Sequence, residues 1–270
     1  YESCIDEDGK RFFKLFKEST FAGSQAAALE MKKIAKRQTK HNQGHLLLNS
    51  LLFLIRCDSE KLSWPNSPLL VMLHFVDPNM LSGEGTPLHH SADLADPFDY
   101  STHEKQLILA KQLIDHGANV NAALSRKGET PLHSACHGGC VTNLDFLEFL
   151  LTEGADPNAQ DRDMGRTPLM YTIPHGPSAA KYLLNWPTTD ANITERSGAS
   201  FLGMVLSLIL AFSKGVARPG NPEQVQHEFL LQQWIEIEEM LVERCLLYPS
   251  YAADHPSRLH VVCRLCVHTP

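Results

Sequence analysis

The chain has 270 residues, a hydrophobic fraction of 43%, a charged fraction of 20% and a formal charge of −7 at pH 7. That is enough apolar material for a continuous core, and too little polarity for a disordered chain. The negative balance argues against a general nucleic-acid binder, because phosphate recognition needs a concentrated positive footprint.

From the beginning of the chain, Tyr1-Glu2-Ser3-Cys4 lacks a basic region leading into an apolar run, so no retained signal peptide is expected. Residues 25–39 predict a helix. Lys32, Lys33, Lys36, Arg37 and Lys40 have the spacing of its solvated face, with a basic docking patch as the other reading. Short helices are expected around 46–56 and 69–75, and Asp77-Pro78-Asn79 looks like the end of a structural unit, so residues 1–66 are read as a helical cap. The most apolar stretches, 46–55 and 201–212, are too short to span a bilayer, and no membrane partner is expected. Seven cysteines (Cys4, Cys57, Cys136, Cys140, Cys245, Cys263 and Cys266) are odd in number and widely spread, which reads as reduced thiols in a cytoplasmic or nuclear protein. Asn192-Ile193-Thr194 fits a glycosylation acceptor, a pattern that matters only in the secretory pathway.

A recurrence then dominates the chain. Thr86-Pro87-Leu88-His89, Thr130-Pro131-Leu132-His133 and Thr167-Pro168-Leu169-Met170 each open a helical pattern, the starts lying 44 and then 37 residues apart. Thr86, Thr130 and Thr167 can cap these helices, and each proline falls at a first turn that needs no amide donor. A second helical pattern follows and ends in Gly117-Ala118-Asn119-Val120-Asn121 and in Gly154-Ala155-Asp156-Pro157-Asn158. Gly117 and Gly154 suit positive φ after a helix, and Asn121 and Asn158 begin a return turn. In the third unit Thr188-Thr189-Asp190-Ala191-Asn192 keeps the asparagine without the glycine, after Trp186-Pro187, so that helix should end early. Leu107, Ile108, Ala110, Leu113 and Ile114 form one expected apolar stripe, and Leu144, Leu147, Leu150 and Leu151 another. Ser200 and the apolar run after it read as a degenerate fourth first helix, with residues 225–247 as its partner and Phe229, Leu230, Trp234, Ile237, Leu241 and Leu246 as core candidates.

These motifs resemble the ankyrin repeat, a turn followed by two antiparallel helices with a period of about 33 residues. The extra length here falls between the two helices of a unit. The resemblance implies an all-α ankyrin-repeat solenoid of stacked antiparallel helix pairs over residues 67–247, in which neighbours complete one another's core. It also implies that the rings of His89 and His133 hydrogen-bond near their threonines, a stitch that Met170 cannot make.

The implied function is protein–protein recognition or scaffolding, with a protein partner of unknown identity. Loop tips are expected at 81–85, 124–129, 162–166 and 194–198, so Arg126, Lys127, Arg162, Arg166 and Arg196, with Glu129, Asp163 and Glu195, are candidates for orienting a partner. The insertion 93–103 places Phe98 and Tyr100 in an expected loop, where they either anchor a partner or fold back on their own repeat. Gly138-Gly139-Cys140 reads as an altered turn.

Residues 248–270 give a C-terminal helix, and Leu259-His260-Val261-Val262-Cys263-Arg264-Leu265-Cys266-Val267 resembles the start of a SOCS box. That resemblance implies contact with Elongin B/C through Leu259, Cys263 and Val267, and the alternative function of a substrate receptor in an Elongin–Cullin ubiquitin ligase. The same helix can instead cap the last repeat. Cys263-x-x-Cys266 lacks a second cysteine pair, so no structural zinc is expected. Phosphate-cradling loops, metalloprotease motifs and nucleophile elbows are absent from the sequence, and the expectation is a non-enzymatic protein without cofactor.

Overall fold

The computed structural model describes residues 7–22, 25–38, 43, 46–47, 50, 68–74, 76–81, 85–93, 100–137, 143–174, 177–215 and 222–246. Among the described residues the structure is helical and no β-sheet forms. The helices are α1 (Glu7–Ala22), α2 (Gln25–Arg37), α3 (Pro68–Leu73), α4 (Pro87–Asp93), α5 (Tyr100–Asp115), α6 (Pro131–His137), α7 (Leu144–Thr152), α8 (Pro168–Tyr171), α9 (Pro177–Asn185), α10 (Phe201–Gly215) and α11 (Pro222–Leu246). They fall into two compact units, Tyr1–Asp190 with Thr194–Gly198, and Ala191–Ile193 with Ala199–Pro270.

In the first unit α1 and α2 form an antiparallel pair that packs on α3. Helix α1 carries Phe12 and Phe16, four residues apart and fully buried, against Met31, Ile34 and Ala35 of α2. Lys32, Lys33, Lys36 and Arg37 lie on the exposed side of α2, and Lys33 pairs with Glu30 at 3.5 Å.

The three repeats are the pairs α4–α5, α6–α7 and α8–α9. First helices pack in one row, α4 on α6 on α8, and second helices in another, α5 on α7 on α9. Each first helix begins at its proline, and Leu88, Leu132 and Leu169, one residue later, are buried between the rows. The buried stripe of α5 is Gln106, Leu109, Ala110 and Leu113, so the expected stripe is corrected: Leu107, Ile108 and Ile114 are only partly covered. A period of three and four residues starting at a glutamine was hidden because Gln106 is polar. Its Nε2 donates to the carbonyls of Ser91 and Ala92, and its Oε1 accepts from Asn143 Nδ2, the cap of α7. On α7 the stripe is Phe146, Leu147, Leu150 and Leu151, with Leu144 partly covered.

Helix α5 starts at Tyr100, which corrects the expectation that Tyr100 lies in a loop. Pro97 is the last helix breaker before Asp115, and the chain from Tyr100 onward is free to wind. Phe98 lies outside the described residues.

Gly117 and Gly154 sit at φ of +91° and +90°. Beyond them Ala118 N–H donates to Leu113 O and Ala155 N–H to Leu150 O, each at 2.9 Å, closing the helix end with the same six-residue hydrogen-bonded loop. Helix α9 has no such glycine and stops at Asn185, immediately before Trp186-Pro187.

Asn79, Asn121 and Asn158 form a ladder. Each side-chain amide donates to the carbonyl after the next repeat's second helix: Gly117 at 2.9 Å, Gly154 at 2.9 Å and Thr188 at 2.7 Å. Each side-chain oxygen accepts a backbone N–H two residues further on, from Asn119, Asp156 and Asp190. These asparagines therefore join repeats as well as beginning turns.

In the second unit α10 packs on α11. Phe201, Val205, Trp234, Ile237 and Leu241 are buried, and so is Glu238, whose carboxyl is pushed up by burial and by neighbouring Glu239.

Candidate functional site

Between the second helix of one repeat and the first helix of the next, the chain makes a narrow finger. Finger 1 covers residues 124–129, finger 2 covers 161–166 and finger 3 covers 194–198, all within the first unit. Finger 1 closes through Leu124 N–H to Glu129 O at 2.8 Å, and finger 2 through Asp161 N–H to Arg166 O at 2.9 Å. Their turns need glycine at positive φ: Gly128 and Gly165 are both at +71°.

The fingers are bonded to one another through the backbone. Arg162 N–H donates to Lys127 O at 2.6 Å and Arg196 N–H to Met164 O at 2.8 Å. Side chains repeat the connection, with Arg162 Nη1 on Ser125 O and Arg196 Nη1 on Asp163 O. A Cβ on Gly128 would lie 2.5 Å from Arg162 Cγ and 2.9 Å from Arg162 N, so this junction leaves no room for a side chain. The equivalent Cβ on Gly165 would meet Arg196 Cγ at 3.2 Å, a looser fit.

Behind fingers 1 and 2 stand the two histidines. Thr86 N–H reaches His89 Nδ1 at 3.3 Å and the Thr86 hydroxyl lies 2.7 Å from the same nitrogen; at Thr130 and His133 the distances are 3.1 and 2.9 Å. A backbone N–H can only donate, so Nδ1 is the unprotonated nitrogen and Nε2–H is the donor. Nε2–H of His89 meets Glu129 O at 3.1 Å, and that of His133 meets Arg166 O at 3.0 Å. Each ring thus ties the start of its own helix to the end of the following finger. Burial lowers the pKa of His89 to about 4 against the hydrogen bond to Glu129 O, and burial also lowers that of His133. Both rings are neutral at pH 7. Thr167 is extended, with φ −88° and ψ 162°, but no side-chain cap forms, and Met170 is buried in the ring's place.

Tyr171 occupies a position that no sequence motif marks. Its hydroxyl donates to Glu129 Oε1 at 2.9 Å and lies 3.2 Å from Asp161 Oδ2, and its ring meets His133 edge-on at 5.1 Å. Burial and then the two carboxylates push the phenol's pKa up. Asp161 accepts backbone N–H bonds from Met164, Gly165 and Arg166. Burial works against its carboxylate, yet those donors hold it below the usual range. Ser197 and Arg166 likewise keep Glu195 low, and Arg166 Nε sits 2.6 Å from Glu195 Oε2.

Of the residues expected to face a partner, Arg126, Lys127, Arg162 and Arg196 are exposed and Arg166 is half-exposed. The finger stack brings them together. It also gives Arg162, Arg166 and Arg196 internal work, because each hydrogen-bonds to a neighbouring finger. Tyr100 begins α5 and belongs to none of the three fingers. Of the expected tip at 81–85, Leu81 is exposed and Gly85 buried, and residues 82–84 lie outside the described ones. The candidate Elongin contacts Leu259, Cys263 and Val267 also lie outside the described residues. Among the described residues no helix is long and apolar enough to cross a membrane, and no group of three or more His, Cys, Asp or Glu side chains is placed to hold a metal ion.

The comparisons agree with this architecture. The family model for ankyrin repeats (3 copies) matches residues 65–161 and 100–197. The chain is 46% identical over 67 residues to the Ankyrin repeat and LEM domain-containing protein 1 homolog of Caenorhabditis elegans, covering 25% of this chain and 8% of that protein. It is 31% identical over 155 residues to human Rabankyrin-5, covering 54% and 12%. It is 38% identical over 64 residues to the mouse 2-5A-dependent ribonuclease, covering 24% and 8%. The chain thus spans about a tenth of the length of these relatives. Ankyrin repeats are in general modules for protein–protein interaction, and the repeats at residues 65–197 make this chain a member of the ankyrin-repeat family.

Proposed function

We propose that the finger stack is the recognition surface of a non-enzymatic binding protein. The observation that carries this reading is the cross-bonding of successive fingers, Arg162 N–H to Lys127 O and Arg196 N–H to Met164 O. Loops fixed in this way lose little conformational entropy when a partner docks, because the ordering is already done by the fold. The exposed tips, with Met164 49% exposed among charged neighbours, offer one apolar contact inside a polar surround. Burial of both histidines in neutral, fully engaged form suits a structural role and leaves neither ring available for proton transfer.

A photo-crosslinking residue placed at Met164 tests this reading. Reproducible crosslinking to a defined protein, abolished by Arg126→Glu with Lys127→Glu, is the expected result. Crosslinking that is indifferent to the tip charges would overturn the assignment of the surface.

A further inference from the structure

The charges of the finger stack are sorted by sign. Glu129 and Glu195 have side chains 16% and 10% exposed, and Asp161 is 3% exposed. All three carboxylates are engaged by donors of the fold: the Tyr171 hydroxyl, with Lys127 Nζ at 3.7 Å, for Glu129, backbone N–H groups for Asp161, and Arg166 with Ser197 for Glu195. The cations lie outside. Lys127 is 56% exposed and Arg166 41%, and Arg126, Arg162 and Arg196 are exposed. Within the three fingers Asp163 is the one exposed carboxylate. A chain of net charge −7 therefore carries a basic ridge.

We propose that this ridge docks an extended acidic segment of a partner protein, an inference that rests on the finger stack being the recognition surface. Arg162 and Arg196 hold the same place in successive fingers, each with its backbone N–H and one guanidinium nitrogen on the finger before. A guanidinium carries five N–H donors in a planar fork that matches a carboxylate, so one bond to a carbonyl does not exhaust it. Carboxylates spaced along one extended strand would meet Lys127, Arg162 and Arg196 in series. Nucleic acid fits less well, because Asp163 interrupts the ridge and the remaining chain is acidic, which opposes a continuous polyanion.

The test uses the full chain and a fluorescein-labelled peptide of about ten residues alternating Glu and Ser, long enough at ~3.3 Å per residue to cross neighbouring fingers. Fluorescence anisotropy compares it with a Gln-Ser peptide and with a DNA duplex. Binding of the Glu-Ser peptide alone is expected, weakening roughly tenfold for Arg126→Glu with Lys127→Glu and also on raising salt from about 0.1 to 0.5 M. Asp163→Lys is expected to tighten it several-fold, a gain that misfolding cannot produce. Equal binding of both peptides, no binding of the acidic one, or tighter binding of the duplex would each overturn the proposal. If the acidic peptide fails while crosslinking at Met164 still depends on Arg126 and Lys127, the charge assignment falls and the recognition surface stands; loss of both removes the surface as well.

Discussion

Finger 2 and finger 3 are held to their neighbours by different chemistry. Finger 2 ends on Arg166 O, which accepts from the buried ring of His133, and its Asp161 lies 3.2 Å from the Tyr171 hydroxyl. Finger 3 follows a repeat with methionine at the histidine position. Its ties are the Arg166–Glu195 ion pair at 2.6 Å, Arg196 on Asp163 O, and Gln160 Nε2 on Thr194 O at 3.1 Å. Both fingers share an arginine's backbone and guanidinium bonds to the finger before, but finger 2 adds a neutral ring out of solvent and finger 3 adds an ion pair. The two should therefore respond to opposite perturbations, the first to protons and the second to salt.

The largest effect should come from closing the room at the tighter junction. Gly128→Ala meets Arg162 backbone at 2.9 Å and forces alanine to φ +71°, and urea unfolding should show a loss of about 4 kcal/mol; Gly165→Ala, whose nearest contact is 3.2 Å, should lose about half of that. Equal losses would show that the two junctions are packed alike.

Acid comes next. His89 has a folded pKa of about 4 and an unfolded value near 6.5. The unfolded chain takes up the proton first, so its contribution is complete above pH 6.5 and drains away as pH falls toward 4, by roughly 3 kcal/mol. His133, shifted in the same direction, adds to the loss. Unfolding midpoints measured from pH 7.5 to 4.5 should fall accordingly, and His89→Gln should flatten the slope. A flat wild-type profile would contradict the neutral-ring assignment.

Removing one rung of the asparagine ladder should matter less. Asn121→Ala breaks two exposed hydrogen bonds between repeats, and a loss of about 1–2 kcal/mol is expected by thermal unfolding. Smallest is Arg166→Gln, under about 1 kcal/mol at low salt and negligible near 1 M, because Arg166 is 41% exposed and its pairing is screened. Persistence of the difference at high salt would mean that the ion pair behaves as a buried one.

The helix starts were legible because proline at the first turn and glycine after the last are consequences of local backbone chemistry. The helices begin at the prolines after Thr86, Thr130 and Thr167, and Gly117 and Gly154 lie at positive φ, but Thr167 makes no side-chain cap. Features that depend on a neighbouring repeat were harder to read. Gln106 looks like a surface residue until Asn143 and the carbonyls of Ser91 and Ala92 are placed around it. Tyr171 follows Met170 in no recognisable pattern, and its two carboxylate partners lie 42 and 10 residues away. Helix α1 is faint in the sequence because its packing face rests mainly on Phe12 and Phe16. The finger residues were named as candidates, but a run such as Arg162-Asp163-Met164-Gly165-Arg166 does not reveal which charges turn inward. Pairing with Glu195 and Tyr171 makes that choice, and only the fold brings those groups together.

The asparagine ladder makes the chain tolerant of length changes along one edge. From Asn79 to Asn121 is 42 residues and from Asn121 to Asn158 is 37, yet each rung makes the same two bonds at 2.7–2.9 Å. Stacking is indexed at the far side of each repeat, and what is spliced between its paired helices leaves that index unchanged. A reporter peptide grafted between α6 and α7 should thus ride on the protein without altering the geometry of the ridge.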